Sequence, residues 1–543
     1  MVKIVLLLFI MLISYRKNKS PPLFHQLAST LGVQSPQNYI PLYTRFFEMN
    51  ATNWNHINLE GPILESIEVK DDSHSGVVDG KRRPVFFKYC PLIDPSKYIS
   101  GQVDYDFTLP SLTTTPGAKF SDPNNSAYVD GFFYYLSGRL LREHRFVHGL
   151  DFFGAFLGIK QDFKYYGEDD LEHVANHTFF NKNVNRLFTI NYDIYDSGSR
   201  DAHTRLALDD APVEDVQVED VQVEDVEDVE DVQVEDVQVE DVEDVQVEDV
   251  EDVQVEDVHI EDALDLNDGN SSTSSNTHSS YASGSEPSEE SEGSFSSMGS
   301  ADMLCITIKQ FPVQVVAMEA CEKTFDRIMD QLEPDEIFAA LMQVIMTLIV
   351  YQKVFKFTHN DLHTNNVMYV STDAPFLYYR YNGKNYKVPT FGRIFKIIDF
   401  GRSIYFLNGN KFVSDSFSPE GDASSQYNTT PYLNPAAPPI DPNYSFDLCR
   451  LACSMIDAFP NNSTYRPVNN LVEEWCKDTK GRNVMFKRSG EERYPNFKLY
   501  KMIARTVHDH TPQAQLSRPE FKRFEAKRFS PACLNIDTLP VFA

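Results

Sequence analysis

Two short stretches decide how this chain is interpreted: HNDLHTNNV at His359–Val367 and KIIDFGRS at Lys396–Ser403. In each stretch a polar, acid-containing segment lies beside apolar residues, a pattern that predicts a loop flanked by buried strands. Gly401 lets the chain turn immediately after the acid of the second stretch, Asp399. These two loops are the candidate functional site.

The polar residues of the two loops suit the transfer of a phosphoryl group. That reaction needs a carboxylate near the attacking hydroxyl, oxygen ligands for magnesium and a cation on the phosphates. Asp361 is the candidate catalytic residue, which would orient the hydroxyl and take its proton. Asn366 and Asp399 are the candidate metal ligands, because Mg²⁺ prefers hard oxygen donors.

Both stretches resemble motifs of the protein-kinase-like superfamily. HNDLHTNNV resembles its catalytic loop, His-x-Asp-Leu-x-x-x-Asn, and keeps the interval from Asp361 to Asn366. Asp399-Phe400-Gly401 resembles the magnesium-binding Asp-Phe-Gly motif of the family. The resemblance implies an α+β, two-lobed fold with ATP and Mg²⁺ between the lobes. It also implies that a serine or threonine of a protein substrate accepts the phosphate.

Three further stretches match the same template. VFFKYC resembles the strand whose lysine, here Lys88, binds the nucleotide phosphates; the alternative is a solvated lysine on an edge strand. VVAMEACEKTF resembles the last strand of the small lobe and the hinge, so the backbone from Glu319 to Cys321 is expected to contact adenine. SFDLCRLACSMID resembles the large-lobe helix whose acid, here Asp447, braces the catalytic loop.

The chain also departs from the family pattern. No GxGxxG motif precedes Lys88, and Gly76 and Gly80 in SHSGVVDGKRRP predict a turn between strands instead. Asn360 stands where many protein kinases have arginine. His363 stands where protein kinases usually have lysine and where small-molecule and lipid kinases often have histidine.

The acidic partner that the family pairs with the phosphate-binding lysine has no obvious counterpart. Asp130, in the helical stretch SAYVDGFFYYLSGRLL, is the candidate partner of Lys88. Glu143 lies near the end of that helix and is equally compatible with a solvated position. The chemistry therefore leaves three functions open. They are a serine/threonine protein kinase, a small-molecule or lipid kinase, and a pseudokinase that acts as an interaction protein.

Local patterns predict several elements of the fold. QFPVQVVAMEA is mostly apolar, as a buried strand is. Pro334-Asp335-Glu336 is a helix-start signal ahead of a long apolar helix, because proline suits the first turn and acids suit the positive end of the helix dipole. Asn382-Gly383, between aromatic stretches, predicts a tight hairpin.

The formal net charge of −31 comes mainly from one tract. Twelve Glu-Asp pairs between Glu214 and Asp262 carry −24, which leaves about −31 + 24 = −7 for the rest. The Val-Glu-Asp units are three or five residues long and keep neither a helical nor a strand period, so this tract is predicted to be disordered. The acidic balance argues against nucleic acid as a partner.

The ends and boundaries of the chain are interpreted as follows. The apolar run Ile4–Ile13 is either a signal or membrane anchor or a hydrophobic segment packed on the domain; no small-x-small cleavage site follows it.

The seven scattered cysteines include no CxxC pair, which favours free thiols over zinc. The overall style resembles kinase-like proteins of large DNA viruses of the iridovirus type, which implies the host cytoplasm or the virion as the location. The predicted domains are 1–20 (hydrophobic segment), 21–205 (first part of the small lobe), 206–302 (acidic insertion), 303–325 (last strand and hinge) and 326–543 (large lobe).

Overall fold

The structure is a computed structural model with mixed α and β content. It describes residues 10–17, 21–70, 73–103, 107–114, 117–166, 177–190, 305–494, 498–528, 530 and 533–543. The acidic insertion at 206–302 and the first nine residues of the hydrophobic segment lie outside these ranges. Elements are numbered below in chain order.

An antiparallel sheet of seven strands occupies the first part of the described chain. A separate two-stranded sheet pairs β1 (Tyr15–Lys17) with β3 (Ile57–Leu59). The strands of the large sheet are β2 (Val33–Gln37), β4 (Leu64–Lys70), β5 (Ser73–Val78), β6 (Lys81–Pro91), β7 (Phe152–Tyr166), β8 (Phe188–Ile190) and β9 (Cys305–Glu319). Their order is β2-β7-β9-β6-β5-β4, and β8 also pairs with β9.

The apolar run predicted as a buried strand is the centre of this sheet. Residues 311–318 of β9 are all buried, and β9 pairs with both β7 and β6. Strand β6 lies between β9 and β5, with Lys88 opposite Val316. Lys88 therefore does not lie on an edge strand, and the alternative of a solvated lysine is wrong.

One long helix packs on this sheet. The helices of this part are α1 (Pro21–Thr30), α2 (Pro95–Ile99), α3 (Ala118–Ser121), α4 (Ser126–His144) and α5 (Thr178–Asn183). Helix α4 approaches β9 closely at Gly131, where an added Cβ would lie 1.8 Å from Gln314 Nε2. A larger residue at this position would have to displace the Gln314 side chain, which is buried and donates to the Ala127 carbonyl at 3.0 Å.

The second part of the chain is built around α6 (Pro334–Phe355), which begins at the predicted proline. A capping box between Glu333 and Glu336 satisfies the first backbone N–H groups of α6. Helix α6 is long and apolar enough to cross a membrane, but 94% of its most apolar window is buried within the protein. The helices that follow it are α7 (Phe446–Cys453), α8 (Arg466–Trp475), α9 (Lys498–Thr506), α10 (Pro512–Gln515) and α11 (Pro519–Lys522).

Short sheets complete the second part. Their strands are β10 (Val367–Ser371), β11 (Phe376–Tyr381), β12 (Lys384–Pro389), β13 (Arg393–Ile397), β14 (Ile404–Leu407), β15 (Asn410–Val413), β16 (Glu525–Ala526) and β17 (Leu534–Asn535). The pairs β10–β13, β11–β12 and β14–β15 are antiparallel. Asn382 and Gly383 join β11 to β12 with φ of 49° and 74°. The predicted tight hairpin is confirmed, because two positive φ values define a type I′ turn.

The prediction for the glycines ahead of Lys88 is half right. Gly80, with φ of 71°, follows Asp79 in the turn between β5 and β6. Gly76 instead lies within β5, where an added Cβ would lie 2.6 Å from the Leu64 side chain. This glycine provides space for a neighbouring strand, a role that spacing alone does not distinguish from a turn.

The described end of the hydrophobic segment packs on the protein. Met11 is buried, and its backbone exchanges hydrogen bonds of 3.0 and 2.9 Å with the Asn408 side chain.

The two described ends that flank residues 191–304 lie side by side, because Ile190 of β8 pairs with Ile306 of β9. The connection thus leaves and re-enters one sheet at neighbouring positions.

Candidate active site

The loop His359–Val367 follows α6 and leads into β10. Asp447 of α7 holds its backbone by hydrogen bonds. The buried Asp447 carboxylate accepts the backbone N–H groups of His359 and Asn360, each at 2.9 Å. Asn360 has φ of 65°, so the chain turns sharply just before Asp361. The structure thus gives Asp447 the bracing contact expected from the sequence.

Asp361 is held by hydrogen bonds and positive charge. Its Oδ1 accepts a hydrogen bond from the Tyr500 hydroxyl at 2.7 Å, and its Oδ2 lies 3.5 Å from Arg402 Nη1. Burial alone would raise the pKa of Asp361, but the Arg402 guanidinium and other nearby cationic groups lower it well below the usual aspartate range. The carboxylate is therefore ionised near neutral pH.

Asn366 has its amide oriented with the oxygen available. Its Nδ2 donates to the Asp361 carbonyl at 2.9 Å and lies 3.1 Å from His363 Nε2. With the nitrogen so engaged, Oδ1 is the atom left for a ligand. The Ile398 N–H donates to the Asn366 carbonyl at 2.9 Å, which brings Asn366 close to Asp399, two residues after the end of β13.

Lys88 joins the first part of the chain to the second. Its ammonium lies 2.8 Å from Asp130 Oδ2 on α4 and 2.8 Å from Asp399 Oδ1. Its side chain is 8% exposed and that of Asp130 is 2% exposed, so the pair is desolvated and needs mutual neutralisation. Sequence alone left the partner of Lys88 open between Asp130 and Glu143. Glu143 instead pairs with Arg139 one turn away on the same helix.

The charged groups of this cluster shift one another's pKa values. Burial would lower the pKa of Lys88, but Asp130 and Asp399 outweigh it and raise that pKa well above its ordinary value. Burial raises the pKa of Asp130 above its ordinary value even though Lys88 opposes the shift. For Asp399, burial would raise the pKa, but contact with Lys88 leaves it lowered. Asp399 is therefore the more firmly ionised of the two acids.

Helix α4 also holds the Asp399-Phe400-Gly401 turn directly. Asp130 Oδ1 accepts the Phe400 N–H at 2.6 Å, and the Tyr134 hydroxyl accepts the Asp399 N–H at 2.8 Å. The buried Phe400 ring packs against Phe133 and Tyr134, with ring centroids 4.6 and 4.9 Å apart. Tyr134 was not foreseen; its place one helical turn after Asp130 on an apolar helix was the available signal.

The expected hinge follows the end of β9. Glu319 lies opposite Val85, three residues along β6 from Lys88, which corresponds to about 10 Å. The Glu319 side chain pairs with Lys396 and its N–H donates to the Asp151 carbonyl at 2.9 Å. Within the described chain, the Cys321 backbone N–H and carbonyl have no hydrogen bond to another backbone group. The Cys321 backbone is thus not engaged by another backbone group, whereas the Glu319 N–H is, and the adenine contact stays a prediction.

The oxygen donors fit a magnesium site that a substrate completes. Among the described residues no cluster of three or more His, Cys, Asp or Glu side chains could hold a metal ion by itself. Magnesium at phosphoryl-transfer sites commonly takes one or two protein oxygens, with phosphates and waters as its other ligands. Asp399 and Asn366 have that partial donor set, so the residues present fit the group.

The segment after the turn is tied to the rest of the site without phosphate. Arg402 forms an ion pair with Asp422, and the Asn360 Nδ2 donates to the Arg402 carbonyl at 2.9 Å. Asp415 accepts the Ser126 N–H at the start of α4 at 2.8 Å and lies 3.1 Å from the ammonium of Lys119. Sequence reasoning missed both acids, because their partners are distant in the chain.

Comparison with known proteins gives one partial similarity. No protein-family model matches the chain. Over 89 residues the chain is 29% identical to a protein of Frog virus 3 (isolate Goorha) named "Putative serine/threonine-protein kinase 019R". The similar stretch covers 16% of this chain and 10% of that protein. The chain is thus similar to a kinase-named viral protein over a short stretch.

Proposed function

We propose that this protein is an ATP-dependent phosphotransferase with a two-lobed protein-kinase-like fold, and that it phosphorylates serine or threonine residues of a protein. The observation that carries the proposal is the cluster in which Lys88 lies 2.8 Å from both Asp130 and Asp399. A buried ammonium between two acids from distant segments is costly to assemble and suits a site that must bind phosphate. The similarity to the kinase-named viral protein supports the same assignment.

Each group of the site has its own role in the proposed phosphoryl transfer. An ammonium has three donors, so Lys88 can keep both carboxylates and still bind a phosphate oxygen. Magnesium held by Asp399 and Asn366 would neutralise charge on the phosphates. Asp361 accepts a hydrogen bond from the acceptor hydroxyl and takes its proton as the new O–P bond forms. The backbone at Glu319–Cys321 binds adenine.

The two rival functions receive less support. His363, which suggested a small-molecule or lipid acceptor, is buried and lies against the Asn366 amide, so it has a structural role within the loop. A pseudokinase has no need of the Lys88–Asp130–Asp399 cluster or of an ionised Asp361. We further propose, from the viral resemblance, that the protein acts in the host cytoplasm or the virion, with protein rather than nucleic acid as its partner.

The decisive experiment measures phosphate transfer by the purified full chain. Labelled ATP and magnesium are supplied with a serine- and threonine-containing protein mixture, and separately with small hydroxyl acceptors. We expect label on protein, none in chelator, and a loss of about 10²–10⁴ in turnover for Asp361→Asn with ATP affinity retained. Asp373→Asn, an exposed acid in the loop after β10, is the matched control and should keep full turnover. Equal turnover of Asp361→Asn and the control would refute the assignment of the base.

A further inference from the structure

Two residues that no motif singles out contact the candidate catalytic base from behind. Tyr500 on α9 donates its hydroxyl proton to Asp361 Oδ1 at 2.7 Å. Arg450 on α7 donates from Nε to the Tyr500 oxygen at 2.8 Å. Arg450 and Tyr500 are 5% and 8% exposed, so the chain of hydrogen bonds is shielded from water. These two hydrogen bonds connect α7 and α9 to the catalytic loop at Asp361 Oδ1.

The direction of the protons in this chain is determined by chemistry. A guanidinium can only donate, so the Tyr500 oxygen must accept from Arg450. The hydroxyl proton of Tyr500 is then directed at Asp361, and it favours the ionised form of that carboxylate. The Arg450 guanidinium also lies 5.0 Å from the Tyr500 ring centroid, which adds positive charge along the same path.

We propose that Arg450 and Tyr500 are positioning residues for the phosphoryl transfer, acting through Asp361; the proposal rests on the proposed function. Tyr500 engages Oδ1 and orients the carboxylate, so that Oδ2 serves the acceptor hydroxyl. In the transfer, the acceptor O–H proton passes to Oδ2, the O–P bond forms and the bond from the γ-phosphorus to ADP oxygen breaks. Tyr500 keeps its proton throughout.

The test compares Tyr500→Phe with Tyr379→Phe in the full chain. Tyr379 is a matched control, because it is also buried and its hydroxyl lies 2.7 Å from a different ionisable side chain, His148. We expect kcat to fall about 10-fold in Tyr500→Phe, with the affinity for ATP and the KM for ATP unchanged. Tyr379→Phe should leave both kcat and the KM for ATP unchanged.

A second measurement does not need activity. Selective ¹³C labelling of aspartate carboxyls, with the Asp361 signal assigned by its absence in Asp361→Asn, reports at neutral pH whether a hydrogen bond reaches this carboxylate. We expect Tyr500→Phe to shift the Asp361 signal and Tyr379→Phe to leave it in place. If the protein transfers no phosphate, the proposed function fails while this signal still tests the contact between Tyr500 and Asp361. Arg450→Gln, a neutral donor, serves if Tyr500→Phe does not fold, and should shift the same signal. An Asp361 signal that is the same in these variants and in Tyr379→Phe overturns the proposal.

Discussion

At the scale of single residues, Asp130 serves two partners through its two carboxylate oxygens. Its Oδ2 lies 2.8 Å from the Lys88 ammonium, and its Oδ1 accepts the Phe400 N–H at 2.6 Å. The next residue, Gly131, faces the Gln314 side chain, whose Nε2 would lie 1.8 Å from an added Cβ. One short side chain on α4 thus connects β6 to the Asp399-Phe400-Gly401 turn.

Neutralising Asp130 should destabilise the protein strongly. In Asp130→Asn, Lys88 loses one of its two carboxylates while it stays buried, so we expect the free energy of unfolding to fall by about 3 kcal/mol. Denaturant titration measures this difference. Glu143→Gln on the same helix is the control, because its ion pair with Arg139 is part exposed and should contribute less than about 1 kcal/mol. Equal losses in both variants would contradict a buried role for Asp130.

The site residues differ in whether a local sequence pattern indicates them. Asp361, Asn366 and Asp399 were singled out from their spacing within a few residues. The first loop follows α6 and is flanked by a strand, β10, on one side, so the expectation of strands on both sides was wrong there. Tyr500 and Arg450 could not be predicted, since they meet Asp361 only through the packing of α7 and α9 against the loop. A tyrosine on an amphipathic helix gives the same sequence pattern whether its hydroxyl meets water or a carboxylate.

At the scale of elements, the segment after the Asp399-Phe400-Gly401 turn carries its own negative charges. Where many protein kinases have an arginine that binds a phosphate, this chain has Asn360, whose side chain instead accepts the Tyr427 hydroxyl at 2.8 Å and donates to the Arg402 carbonyl at 2.9 Å. Asp415 binds the start of α4, and Asp422 pairs with Arg402. Carboxylates thus make contacts that a phosphate could make.

Activity should therefore not require phosphorylation of this segment. Protein made without other kinases and treated with phosphatase is expected to be as active as untreated protein. Asp415→Asn should lower turnover several-fold by loosening the segment from α4, whereas Ser418→Ala should not. Loss of most activity on phosphatase treatment, regained on phosphorylating a residue between Ser414 and Thr430, would contradict this interpretation of Asn360.

Elements were predicted where one local signal decides the outcome. Helix α6 begins at Pro334 and the hairpin turns at Asn382-Gly383, because caps and positive-φ turns are set by the residues themselves. The prediction that Gly76 lies in a turn was wrong, because Gly76 lies within β5 and packs against the Leu64 side chain of the neighbouring strand. Contacts between elements leave weaker traces in sequence than contacts within them.

At the scale of the whole molecule, the acidic tract should be dispensable for folding. Because Ile190 and Ile306 are paired, deletion of residues 206–302 leaves a connection that still needs only to join neighbouring strands. A shorter loop costs less entropy to close, so the free energy of unfolding should rise by about 2 kcal/mol or less. Thermal and denaturant unfolding check this, with a control in which the Glu-Asp pairs become Gln-Asn at unchanged length. A lower stability after deletion would mean that the tract packs on the fold.

The side-by-side ends of this connection also bear on how the gene can vary. For a flexible connection, each doubling of length adds only about 0.6 kcal/mol to the closure cost. Gain or loss of a single Val-Glu-Asp unit therefore changes the free energy of unfolding too little for selection to act on it. Tandem repeats in a coding sequence are also prone to slippage during replication. Sequencing of natural isolates should find the number of units drifting from one to the next, between two strands whose sequences stay constant.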